Sequence, residues 1–230
     1  MDWPTFTATL VGAGVSIATS LVVFGATFYV TRKTHERDGD KEKAFAAYTG
    51  LLKTLHTANA CLNIQRHIDE CFSRAAENNV EVDNPAEIVT EIVAIDLGIE
   101  YVAAEESAFL LAIGEAQLLF DVLEFQQRVA AHETTLKRYN EMRLEFQQFV
   151  DSNADEVIEG EGTMVSLSFS AQSRSRASVK IGVLNNMIGT LIEQLERDGV
   201  SAKSLVQRYH DAANEHFGDM FPRIQISWDE

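Results

Sequence analysis

Proline is scarce in this chain, with three among 230 residues, at positions 4, 85 and 222. Long helices can therefore run without the missing N–H and fixed φ that would break them. Cysteine is scarcer still. Cys61 and Cys71 fall on what reads as one helix, where ten residues separate them by about 15 Å. That is beyond disulfide reach, and two reduced thiols suit a cytoplasmic body. Several signatures of chemistry are also absent. No Gly-Lys-Ser/Thr closes a P-loop, no His-Glu-x-x-His occurs, and there is no Gly-x-Ser-x-Gly elbow. None of the six histidines has a Glu three residues before it, as the di-iron bundles require. Asp38-Gly39-Asp40 lacks calcium-loop spacing, and Glu159-Gly160-Glu161-Gly162 lacks the lysine of a phosphate loop. These absences lead us to expect no catalytic residues, no cofactor, no metal and no enzymatic activity.

Lysine and arginine are missing from the first 31 positions, and Ala8 to Val30 holds no charged side chain at all. At about 1.5 Å per residue such a stretch covers the roughly 30 Å hydrocarbon core of a bilayer. A cleaved signal peptide would have a basic start, a shorter apolar core and a small-x-small site. This chain starts Met-Asp-Trp-Pro and its apolar run ends Phe28-Tyr29-Val30. The expectation is an uncleaved transmembrane helix. Arg32, Lys33, Arg37, Lys41 and Lys43 follow it. Basic residues stay on the cytoplasmic side, which places the N-terminus outside and the body inside the cell membrane. Arg32, Lys33 and Arg37 are the expected juxtamembrane lipid contacts. Gly12, Ser16 and Ser20 share one helix face. Small residues at that spacing let two spanning helices approach closely, or simply face lipid.

The net charge of −16 belongs to the body, because residues 1–43 hold five basic and five acidic side chains. So acidic a body repels nucleic acid phosphates and an anionic leaflet alike. From residue 44 the pattern is helical throughout. Phe45, Tyr48, Leu52, Leu55, Asn59 and Leu62 recur at alternating spacings of three and four, the seam of a packed helix over 41–77. Asn84, Pro85 and Glu87 mark a helix start. The longest signal covers 104–151, where Leu111, Leu118, Val122, Phe125, Val129, His132, Leu136, Tyr139, Phe146 and Val150 hold a seven-residue repeat broken by Glu115 and Arg143. Residues 152–173 read as a mobile loop with at most one short extended piece. Ile181, Leu184, Ile188, Leu191 and Leu195 mark another helix, which Asp198-Gly199 should stop. Ser201 should cap a last helix to Phe217, followed by a tail over 219–230.

The expected fold is therefore all-α: one N-terminal transmembrane helix (8–30), a basic collar (32–43), and an antiparallel helical bundle (44–218) with one long spine helix. Two polar seam residues stand out. Asn59 can fix register and partner choice, or sit at the seam edge bonded to water. His132 reads as a buried pH switch or as a seam histidine bonded to a neighbour. The expected function is a membrane-anchored interaction or scaffold protein. Its partners would be the lipid bilayer and either further copies of itself or another protein. The alternative is a membrane-associated signalling or membrane-perturbing effector that acts through oligomerisation of the anchor.

Overall fold

The structure, a computed structural model, describes residues 3–79, 84–92, 97–159, 165–224, 226 and 228, with side chains from residue 38 onward except those of 155–167. Its elements in order are α1 (Trp3–Glu77), α2 (Pro85–Ile88), α3 (Ala104–Ala112), α4 (Ala116–Asn153), β1 (Ala154–Glu159), β2 (Val165–Phe169) and α5 (Ala171–Phe217), then a 3-10 turn at Gly218–Met220. The protein is mostly helical. Among the described residues no helix is long and apolar enough to cross a membrane. The expected span at 8–30, with Gly12, Ser16, Ser20, Arg32, Lys33 and Arg37, lies outside the residues whose side chains are described.

Three long helices make the bundle. α1 and α5 run antiparallel, as the apposition of Gly50 with Tyr209 and of Gly199 with Gln65 requires. α4 is also antiparallel to α5, pairing Asp121 with Arg208 and His132 with Asp198. The core begins at Ala44 and includes Phe217 and Phe221. On α4 the buried residues Leu118, Val122, Phe125, Val129, His132, Leu136 and Tyr139 are those of the seven-residue repeat. Large apolar side chains at that spacing gain about 1.5–3 kcal/mol each on burial, so they dictate which face turns inward. The expected single spine over 104–151 is nevertheless two helices. Gly114 adopts φ +84 between α3 and α4, a left-handed conformation glycine takes without steric cost. It leaves Leu111 exposed.

α1 turns a different face inward from the one its large apolar residues indicate. Its buried seam is Ala44, Ala47, Leu51, Thr54, Ala58 and Cys61, one residue out of phase with the large apolar seam read from the sequence. Phe45 is 67 % exposed, Leu52 is 42 % exposed, and Asn59 lies on the exposed face. The reason is closeness of approach. A Cβ on Gly50 would run into the Tyr209 hydroxyl oxygen, so at that point α5 comes too close to α1 for any side chain. Asn59 therefore sets no seam register in this bundle.

Asp198-Gly199 does not stop a helix either. α5 continues through it to Phe217, because Asp198 finds partners inside the bundle and Gly199 faces Gln65. Within 152–173, β1 and β2 pair antiparallel, with Val157 opposite Leu167 and Ile158 opposite Ser166, and an irregularity between Ala154 and Glu156. Sequence reasoning missed this pairing because the two strands are short and the acids of β1 disguise its alternation. α1 ends at Glu77, where the helical pattern of 41–77 also ends, and Asn79 follows at φ +53. The aromatic rings of Tyr48, Phe221, Phe217, Phe109 and Tyr209 close the end of the bundle that joins α1, α3 and α5.

Gly50→Ala should lower stability by about 1–3 kcal/mol, the usual cost of overpacking, read from urea unfolding. Tyr209→Phe removes the atom that the new methyl meets and should cost less in the Gly50→Ala background than in the wild type. Equal costs in both backgrounds would contradict the contact.

Candidate functional site

The candidate site is a polar cluster inside the bundle. On α4, Arg128 and His132 are four residues apart and share a face. On α5, Asp198 falls in phase with Leu191, Leu195, Ala202 and Leu205, so the helix that buries those residues carries the carboxylate inward. Arg128 Nε donates to Asp198 Oδ1 at 2.8 Å, and His132 Nε2 lies 2.7 Å from Asp198 Oδ2. His132 is 3 % exposed and Asp198 5 %. Arg128 reaches outward from the same position to Glu124, at 3.0 Å. The third helix contributes Cys61, fully buried on α1.

A buried cysteine thus lies within electrostatic reach of a histidine-bonded aspartate, the residue types of a nucleophilic site, but the chemistry runs the other way. Burial first, and then the Asp198 charge, push the Cys61 thiol from 9.0 up to about 12, against a smaller lowering by Arg128. A nucleophilic cysteine needs the thiolate, an electropositive setting and access. Cys61 has neither the charge state nor the access. The cluster acts as a clamp: two charge-assisted bonds offset the cost of removing the Asp198 carboxylate from water.

Two further polar sets fasten the irregular chain between α1 and α4. Gln126, fully buried, accepts from Val102 N (3.1 Å) and donates to Glu100 O (3.0 Å). Lys53 pairs with Glu106 at 2.9 Å, and Glu106 accepts from Ala103 N. Asn185 Oδ1 accepts from Ala86 N, Tyr139 donates to Val89 O, and Asn140 donates to Ile92 O. Arg143, one of the two breaks in the α4 repeat, donates to Val89 O at 2.8 Å. Among the described residues no buried side-chain nitrogen or oxygen lacks a hydrogen-bond partner. No group of three metal-ligating side chains occurs among them. Cys71 has His67, Thr90 and Arg74 at 3.8 Å, each a weak sulfur contact. An open cleft of about 480 Å³ is lined by His210, Asn214, Gly218, Asp219, Arg223 and Ile224, and its Arg223 is paired with Asp219.

Of the residues singled out in the sequence, His132 is brought into the cluster and Asn59 is not. Arg128 and Asp198 were missed. The available signal was a lone acid on the apolar stripe of α5, in phase with Leu191 and Leu195. The turn reading of Asp-Gly concealed it.

The buried acids also set a pH dependence. Cys61 stays protonated when folded, and burial likewise raises the Tyr139 and Tyr209 hydroxyls. In the unfolded chain these groups ionise near pH 9 to 10, so the folded state holds protons that the unfolded state releases. Stability should therefore be fully present below about pH 8.5 and fall as pH rises toward 12. Urea unfolding across that range checks it, and Cys61→Ala with Tyr209→Phe should flatten the slope. A stability that does not change with alkaline pH would contradict the burial of these groups.

No protein-family model matches this chain, and neither the curated proteins nor the solved structures yield a match.

Proposed function

We propose that this chain is a single-pass membrane-anchored interaction or scaffold module. The charge-free stretch Ala8–Val30, followed by Arg32, Lys33 and Arg37, carries the reading. That charge asymmetry favours an N-terminus outside and a bundle in the cytoplasm, with the three basic residues at the lipid headgroups. The anchor stretch and the first core residues from Ala44 belong to one helix, α1. The interior of the bundle supports a binding rather than a chemical role, because its polar groups are spent on one another. In this reading the body meets further copies of itself or a protein partner, and the −16 charge keeps it from nucleic acid. Gly12, Ser16 and Ser20 offer a face for helix contact within the bilayer.

A second reading, a signalling or membrane-perturbing effector, draws on the continuity of α1 from Trp3 to Glu77. A rigid helix shared by anchor and bundle would pass a change at one to the other. Release of a trapped dye from liposomes on reconstitution separates an effector from a passive scaffold.

The test of the anchor is fractionation. The full chain should stay with membranes through a high-salt wash, and deletion of residues 1–31 should release it to the soluble fraction. A full chain that is soluble without detergent would sink the proposal.

A further inference from the structure

The connection between α4 and α5 is longer than two antiparallel helices need. Such helices usually join through about two to eight residues, whereas here 154–170 intervene and build the β1–β2 ribbon. A two-stranded ribbon is marginal in water and gains stability from a third strand or a packed face. At its base Phe169 stacks on Phe149, ring centroids 6.2 Å apart. Among the described residues each strand of this two-stranded sheet keeps one edge open, a row of N–H and C=O groups that templates further pairing.

The two edges differ. β1 reads Ala-Asp-Glu-Val-Ile-Glu, with three acids, whereas β2 reads Val-Ser-Leu-Ser-Phe, with no charge, proline or glycine. Charge and proline along an edge are the usual guards against strand addition. β1 is guarded and β2 is not. We infer that the open edge of β2 is an interaction surface, and that its occupant is β2 of a second copy, paired antiparallel about Leu167 into a four-stranded sheet. Pairing β2 with β1 of another copy would leave open edges at both ends and grow without closing. β2 on β2 is isologous and closes at two copies, with the acidic strands outermost. This names the partner of the module proposed above and rests on that reading.

The register provides the test. With Leu167 on the two-fold axis, Ser166 stands opposite Ser168 of the second copy. Within its own ribbon Ser168 stands opposite Glu156, and Ser166 opposite Ile158. S166K/S168K sets like charges opposite each other across the new seam, which opposes pairing. S166E/S168K sets opposite charges there, and in the register of its own ribbon its lysine stands opposite position 156. The protein mass of the full chain is measured by light scattering in a mild detergent. The wild type and S166E/S168K should have twice the mass of S166K/S168K. A monomeric wild type, a dimer that survives S166K/S168K, or a monomeric S166E/S168K overturns the inference. A dimer that survives S166K/S168K but is lost in Gly12→Leu with Ser16→Leu would assign assembly to the anchor instead. Membrane retention, read on the same preparations, judges the anchor independently of these masses.

Discussion

Asp198 is buried where α5 passes between α1 and α4, and an unpaired carboxylate at such a place would cost several kcal/mol. Arg128 and His132 meet it from α4 with one bond to each oxygen. That geometry fixes the rotation of α4 against α5, because the bonds form only when positions 128 and 132 face position 198. The neighbouring position sets the approach of α1. Gly199, the next residue, has no side chain to hold Gln65 away. Cys61, buried on α1 within electrostatic reach of Asp198 and Arg128, stays protonated beside them. The helix continues through Asp-Gly because the acid is needed inward and the glycine is needed small.

The same logic governs the chain between α1 and α4. Beyond the single turn of α2, the described residues of 84–103 form no regular element. Backbone groups there cannot go unpaired where they are buried. Side chains on the long helices supply the partners: Gln126 and Lys53 for the second half, Asn140, Arg143, Tyr139 and Asn185 for the first. The polar residues that interrupt the apolar stripes are thereby accounted for as fasteners.

How much of this was legible in the sequence depended on side-chain size. The inward face of α4 was readable because its core positions are Leu, Val, Phe and Tyr at strict spacing. The inward face of α1 was not. Its core residues between 44 and 58 are mostly small, Ala44, Ala47, Thr54 and Ala58 beside Leu51, whereas the larger Phe45 and Leu52 are exposed. A seam built on close backbone approach leaves a weak hydrophobic signal, so Asn59, which is exposed, read as part of it. His132 could be placed, but its partner could not, since Asp198 is 66 residues away in the chain. The break at Gly114 depends on a backbone conformation that glycine allows but does not announce. The β1–β2 pairing depends on register between two short strands, which local periodicity does not encode.

Asp198 and His132 hold α4 and α5 together as a coupled pair. A double-mutant cycle tests it most directly, with urea unfolding at neutral pH of the wild type, Asp198→Ala, His132→Ala and the double variant. The account predicts that Asp198→Ala costs about 3 kcal/mol. It also predicts that the double variant is more stable than the sum of the two losses allows, by about 1 kcal/mol or more. Additive losses would contradict it, since the two side chains would then contribute independently and the rotation of the helices would be set elsewhere.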